Sequence, residues 1–306
     1  MVGMDYPSAA SIPRYSKDCV EWSLVYRWGT LPTRFSILMS INLWKRSALI
    51  PPIPALLDAV IAIAREAGQV VSTIYDTEFT VSTKSDASPV TLADERAEAV
   101  ILAGLARLAP EIPVVAEESV AAGRVPAIDP AQGRFWLVDP LDGTREFVSR
   151  NGEFTVNIAL IHAGDPVLGV VLAPALGALY AGAQGLGAFK ELAGRRQTIR
   201  CREAPQEGLA VVESRYHGDG AALEAWLKGQ PIASRIKAGS SLKLCLLAEG
   251  QADLYPRLGR TMEWDIAAGH AIVTAADGYV TRIDDGKVLR YGKAGFENPG
   301  FMARGR

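Results

Sequence analysis

Asp139 and Asp142 stand three positions apart in the segment VDPLDGTREF, at the end of the apolar run Phe135, Trp136, Leu137 and Val138. Two like charges set so close raise each other's pKa unless something positive lies between them. Turns and helix N-caps also use Asp, whose carboxylate bonds the nearby backbone, and for this pair alone the two readings are evenly matched. Other acids tip the balance. Glu117 and Glu118 end the strand-like run PVVAEES, Asp265 follows Trp264 at the start of the helical run WDIAAG, and Asp94 sits on the first turn of another helix. Carboxylates gathered at element ends destabilise a fold without a compensating cation, and hard oxygen donors with no His or Cys nearby point to magnesium. Two such ions about 3.5–4 Å apart would clamp a phosphate and generate the attacking hydroxide. Thr144 would orient a water through its hydroxyl while its amide faces the phosphate from a helix start.

These residues need elements to position them. Ordered structure is predicted from Pro54, where Leu56, Val60, Ile63, Ala67, Val70 and Ile74 recur at threes and fours and mark an amphipathic helix over 54–76. After the polar stretch TKSDASP, Thr91 reads as the N-cap of a second helix, with Asp94 in place of the usual Glu of a capping box and Ala97, Ile101, Leu105 and Leu108 as its buried face. From Ile112 to Lys190 the period falls to two. The runs IPVVAEES and RFWLVDP read as buried strands ending in acids, TVNIALI and PVLGVVLAP as a hairpin around HAGD, and ALYAGAQGLGAFKE as another. After about residue 205, strands (LAVVES, SRIKAG, ADLYPR) alternate with helices (GAALEAWLKG, SSLKLCLLAEG, WDIAAGHAIVTAA) and close on a last strand, GYVTRI. The expected class is α+β followed by α/β. Residues 1–53 read as a poorly ordered extension, with Met39 an alternative start. Residues 54–204 form an α+β metal-binding half with an antiparallel sheet, and 205–306 an α/β half completing a cleft at their boundary.

Composition narrows the function. With 32 basic and 34 acidic residues the net charge is -2, which gives no electrostatic footprint for long nucleic acid but leaves room for a small anionic ligand. The three cysteines, Cys19, Cys201 and Cys245, are far apart in sequence and read as reduced thiols of a cytoplasmic protein. The three histidines, His162, His217 and His270, are too few and scattered for a histidine zinc site. The apolar stretch RFSILMSINLW is shorter than the roughly 20 residues a bilayer span needs. It also lacks the pattern of a cleaved signal.

Taken together, VDPLDGTREF, AEES and EWDIAAGHAI resemble the three signatures of the lithium-sensitive, magnesium-dependent phosphatases that include inositol monophosphatase. RNGEFTVNIALI, GVVLAP, GSSLKLCLLAEGQADLYPR and FENPGF are similar to the family's 3'(2'),5'-bisphosphate nucleotidase branch, so the resemblance runs from about residue 55 to the C-terminus. It implies a layered α/β/α/β/α fold and hydrolysis of the 3'-phosphate of adenosine 3',5'-bisphosphate to AMP and phosphate, with the 5'-phosphosulfate analogue as a second substrate in sulfur assimilation. The cofactor it implies is two or three Mg2+, with Mn2+ as a substitute. It assigns Glu117, Asp139, the Leu141 carbonyl, Asp142 and Asp265 as metal ligands, and Thr144 backed by Asp94 as the water-activating pair. Gly143 and Thr144 would offer amides to the scissile phosphate, and Lys84 and Asp86 would lie on a mobile loop near the metals. Ser240, Lys243 and Arg257 would lie near a second phosphate and His217 near the base. Inositol or sugar phosphates are the rival substrates, and a non-catalytic ligand-binding regulator is the rival class.

Plainer readings exist for several of these residues. Glu118 reads as a surface carboxylate rather than a ligand, and Lys243 as an ordinary exposed helix lysine. Arg145 and Glu146 would pair locally, while His162 and Cys245 would be structural. Ser240 to Lys243 also spells the S-x-x-K of serine β-lactamases, but K-T-G and S-D-N are missing and the carboxylates would have no purpose.

Overall fold

The computed structural model describes residues 51–77, 81–83, 89–216 and 220–306, together with strands at 13–16, 19–26 and 33–36; side chains are described outside 1–50, 78–91 and 217–219. The chain divides into two compact units, Met1–Leu49 and Ile50–Arg306. In the first, β1 (Pro13–Ser16), β2 (Cys19–Tyr26) and β3 (Thr33–Ser36) pair antiparallel in that order. The second holds every acid singled out above.

Helix α1 (Ile53–Tyr75) carries Pro54 in its first turn, where a missing amide costs nothing, and buries Leu56, Val60, Ile63, Ala67 and Ile74 as the spacing predicts, while Val70 at the stripe's edge is only half-buried. After the short pair β4 (Val81–Thr83) and β5 (Pro89–Thr91), helix α2 (Leu92–Leu108) starts directly behind Thr91. The Thr91 side chain, Lys84 and Asp86 lie outside what is described.

Strand β6 (Val114–Ala116) leads into α3 (Glu117–Ala121), and β7 (Arg134–Asp142) into α4 (Thr144–Val148). β8 (Thr155–His162), β9 (Asp165–Ala173), β10 (Ala178–Ala183), β11 (Gly187–Leu192) and β12 (Arg195–Ile199) complete a seven-stranded sheet of order β12-β11-β10-β9-β8-β7-β6. All its neighbours are antiparallel except β6 and β7. The remainder alternates: β13 (Leu209–Ser214), α5 (Gly220–Leu227), β14 (Ile232–Ala238), α6 (Leu242–Ala248), β15 (Leu254–Arg257), β16 (Thr261–Met262), α7 (Glu263–Ala275), β17 (Tyr279–Arg282), β18 (Glu297–Asn298) and β19 (Phe301–Arg304). Its five-stranded sheet has the order β14-β13-β15-β19-β17. The expectation that Tyr279–Arg282 is the last strand is therefore corrected. The chain end returns and inserts β19 between β15 and β17, antiparallel to both. Four residues, with only Phe301 and Ala303 buried, are too few to register as a period. β12 went unnoticed for a similar reason, since four of its five residues are exposed.

Three apolar clusters hold the layers. One joins α1 and α2 to a face of the seven-stranded sheet. A second fills the space between the other face, α6, α7 and the five-stranded sheet. The third, with Leu209, Val211, Leu227 and Leu254, seats α5 on the outer side. The result is the layered α/β/α/β/α build. β8 and β9 are buried on both faces, as central strands must be when helices cover each side. Helix α7 lies so near β9 that a Cβ on Gly169 would fall 2.2 Å from the Ala268 carbonyl oxygen, so only glycine permits that approach. Among the described residues, no helix is long and apolar enough to cross a membrane.

Candidate active site

A fault in sheet register delivers two aspartates to one place. Across β7 and β8, Asp139 lies opposite Asn157 and Asp142 opposite Thr155, three steps on one strand against two on the other. In a regular strand, residues three apart point to opposite faces. One extra residue, a bulge, returns them to the same side and bends the strand. Pro140 is tolerated in the bulge because no ladder bond there needs its missing amide. The chain then leaves through Gly143 at φ 90°, a left-handed conformation that strains any side chain. An added Cβ would also lie 3.2 Å from Glu146 Oε2 and 3.3 Å from Ser240 Cβ.

The remaining acids come from separate elements. Glu117 is the first residue of α3, directly behind the strand that runs parallel to β7. Glu98 of α2 accepts the Glu118 amide at 2.8 Å and the Ser119 hydroxyl at 2.6 Å, which anchors the start of α3. Asp265 lies on the first turn of α7 and accepts the Met262 amide at 2.8 Å, the reciprocal half of a cap. Asp94, on the first turn of α2, is buried.

The electrostatics record how near these groups are. Burial pushes the Asp139 carboxyl well above the ordinary carboxylate range, and Glu117, Asp142, Asp265 and Asp94 push it further. Asp265 is raised in the same way, by burial first and then by Asp142 and Glu117, against the Met262 amide and Arg257. Glu117, Asp139, Leu141, Asp142, Gly143, Thr144 and Asp265 line one cavity of about 520 Å³. Among the described residues, no three His, Cys, Asp or Glu side chains could hold an ion as they stand. Their oxygens are turned to local donors instead: Asp139 Oδ1 accepts the Leu141 amide at 3.0 Å, and Asp142 Oδ2 the Ser240 hydroxyl at 2.7 Å. The donor set itself fits a hard divalent cation, because carboxylates crowd the cavity and, among the described residues, no His or Cys lines it.

Cationic groups share this cavity. Ser240, Lys243 and Arg257 line the same cavity. Lys243 is buried on α6 and donates to the Ser240 carbonyl at 2.5 Å, with its ammonium 5.6 Å from the centre of the Tyr255 ring. Burial pushes its pKa down to about 8, Asp142 opposing and Arg257 adding to the shift. Arg257 donates to the Arg260 carbonyl at 2.8 Å. Beyond it opens a second cavity of about 190 Å³, which shares Ser214, Tyr255 and Arg257 with the first and is walled by Arg215, Tyr216, Leu223 and Pro256.

The structure thus gathers Glu117, Asp139, Leu141, Asp142, Gly143, Thr144, Ser240, Lys243, Arg257 and Asp265 around one cavity. Asp94 is buried close enough to act on Asp139, and His217 lies outside the described residues. Lys243 is not the exposed helix lysine its surroundings in sequence suggest; only 7% of it is accessible. Glu146, expected to pair locally with Arg145, is instead buried against Gly143 and Gly239. Sequence reasoning also passed over Glu98, Thr155 and Asn157, all buried. Their available signal was a polar side chain inside an otherwise apolar run.

Crowded carboxylates and buried cationic groups around one cavity, within this five-layered build, mark the class of metal-dependent phosphatases. Residues 55–302 match the model of the inositol monophosphatase family, and the chain belongs to that family. It is 49% identical over 249 residues to the 3'(2'),5'-bisphosphate nucleotidase CysQ of Shigella flexneri, covering 80% of this chain and 98% of that protein. Among solved structures it is similar to CysQ from Bacteroides thetaiotaomicron, with a TM-score of 0.69 and 36% identity over 83% of this chain and 98% of that one. It is also similar to an inositol monophosphatase from Anabaena, with a TM-score of 0.64 and 26% identity over 82% and 90% of the two chains.

Proposed function

We propose that this chain is a magnesium-dependent phosphatase that removes the 3'-phosphate of adenosine 3',5'-bisphosphate, leaving AMP and phosphate. One observation carries the choice of substrate: the carboxylate wall and the buried Lys243, with Arg257 beside it, share a single cavity. A substrate with one phosphate for each wall uses both; a monophosphate leaves a buried ammonium without purpose. The curated relative's name describes activity on such bisphosphates.

Glu117, Asp139, Asp142, Asp265 and the Leu141 carbonyl would hold the cation, which when bound neutralises phosphate charge and acidifies water. Thr144 orients the attacking water and relays its proton to Asp94, with Glu117 as a further acceptor, while the leaving 3'-oxygen takes a proton from solvent. The Gly143 and Thr144 amides face the scissile phosphate. Ser240, Lys243 and Arg257 hold the second phosphate through charge-assisted bonds, which anchors the far end of the substrate and orients the ester to be cleaved. His217 would serve the base. On this reading, residues 54–204 supply most of the acids and 205–306 the nucleotide contacts. The unpaired buried thiols Cys201 and Cys245 suit a reducing, cytoplasmic setting.

A phosphate-release panel tests the reading. The expected result is faster turnover of adenosine 3',5'-bisphosphate than of inositol 1-phosphate at saturating magnesium. The reverse order would move the substrate to the inositol or sugar phosphates, and no release from any member would support a non-catalytic binding protein.

A further inference from the structure

Asp142 and Asp265 reach the cavity from different layers, one from the end of β7 and the other from the start of α7. The hydrogen bonds that connect them pass through Asn157 and Ser241, neither of which lies among the residues proposed above to act on substrate or cation. Asn157 Nδ2 donates to Asp142 Oδ2 at 3.4 Å and to Ser241 Oγ at 3.0 Å. The Ser241 hydroxyl donates in turn to the Asp265 carbonyl at 2.6 Å. On the other side, the Thr155 hydroxyl donates to Asn157 Oδ1 at 2.9 Å. Asn157 and Thr155 are fully buried and Ser241 is 2% exposed.

The donors and acceptors allow one direction only. A carboxylate accepts, so the amide must turn its NH2 toward Asp142, and its carbonyl is then left for the Thr155 hydroxyl. Ser241 accepts from Asn157 and so spends its own proton on Asp265. Flipping the amide would set a carbonyl oxygen against the Asp142 carboxylate. Ser240 braces the same carboxylate: it donates to Asp142 Oδ2 at 2.7 Å, accepts the Ser241 amide at 2.6 Å and touches the Thr155 hydroxyl. Buried hydrogen-bond networks rigidify the groups they join.

We infer that Asn157 and Ser241 are a positioning pair that sets Asp142 against Asp265 across the two layers. The inference rests on the reading of both aspartates as cation ligands. Asn157 can do this because the β7 bulge places its strand neighbour, Thr155, opposite Asp142 while Asn157 itself stays opposite Asp139. Its amide therefore lies beside both β7 aspartates. Ser241, immediately before α6, extends the connection to α7. Partners that orient ligands in this way typically account for about 10–100-fold in metal affinity.

The test is titration of the full chain, stripped with chelator, with Mn2+ alone, followed by calorimetry or by the Mn2+ paramagnetic resonance signal. Asn157→Ser, Ser241→Ala and the double variant are compared with the wild type, alongside thermal unfolding in chelator. The expected result is an affinity about 10–100-fold weaker in Asn157→Ser. Ser241→Ala should fall between that variant and the wild type. The double variant should be no weaker than Asn157→Ser, because both changes break one chain of bonds. Wild-type affinity in both single variants would overturn the inference, as would losses that multiply in the double variant. A merely structural role would lower the unfolding temperature while leaving affinity intact. If Asn157→Ser does not fold, Ser241→Ala decides alone. Asp142→Asn separates the two readings: if it binds Mn2+ as the wild type does, the ligand assignment fails; if it alone loses affinity, only the positioning role fails.

Discussion

The two walls of the cavity are built on opposite principles. The carboxylate wall sets acids against one another, and burial makes the repulsion worse; Asp139 and Asp265 are both driven well above the ordinary carboxylate range. The cationic wall holds one ammonium in place with a carbonyl and an aromatic face, and burial lowers it only to about 8. The first wall costs stability until a cation arrives. On the proposed reading the second is a seat for an anion, since a lysine with this pKa is still mostly charged at neutral pH. On the proposed reading, chemistry belongs to the first and recognition to the second.

The largest effect should come from the carboxylate wall. Asp142→Asn removes a ligand charge beside the cavity and should cost at least the roughly 10²–10³-fold typical of losing one electrostatic stabiliser, with the far-ultraviolet circular dichroism unchanged. Near wild-type turnover at saturating magnesium would abolish the distinction between the walls. Lys243→Met should be milder and selective. A lost charge-assisted bond of about 1.5–3 kcal/mol corresponds to a roughly 10–150-fold drop in kcat/KM for the bisphosphate. Hydrolysis of a simple monophosphate should change little, and equal losses on both substrates would mean that Lys243 serves the chemistry instead.

A pH series sharpens the same contrast. Lys243 must be charged to hold a phosphate, so KM for the bisphosphate should climb above pH about 8 while KM for a monophosphate stays level. A parallel rise for both substrates would remove Lys243 from recognition. The smallest effect concerns stability. Asp139 is raised in the folded state, so between its unfolded pKa near 4 and its folded value the native protein binds more protons. In chelator, stability should therefore fall as pH rises through that window, and melting should come earlier at pH 7.5 than at pH 5.5. Added magnesium at pH 7.5 should restore it, and Asp139→Asn should flatten both responses, by about 2–4 °C for each kcal/mol. A metal-free melting temperature that does not vary with pH would show that the repulsion is relieved by other means.

The helices and central strands were legible because their apolar spacing is long and regular, as in α1, where Leu56, Val60, Ile63, Ala67 and Ile74 are buried as predicted. The acids of the site were legible because each stands at an element end, where a buried run stops and charge begins. What could not be read is where short or exposed segments pair. β19 has four residues and takes its place from two neighbours distant in sequence. The burial of Lys243 was hidden for the same reason, because α6 has an exposed side only if nothing covers it, and the two sheets together leave all but one of its residues buried.

The sequence by itself determined the inventory: which carboxylates exist, that hard oxygen donors outnumber every other ligand type, and that Pro140 and Gly143 force a sharp exit after Asp139. Only the tertiary structure decided which groups face one another. A spacing of three places Asp139 and Asp142 on opposite sides of a regular strand, and the bulge against Asn157 and Thr155 brings them together. Register of that kind is a property of two strands, not one, and the bonds that carry it onward through Ser241 to α7 join residues far apart along the chain. Local spacing carries no information about such partners, because the free energy that selects them appears only when both layers are in place.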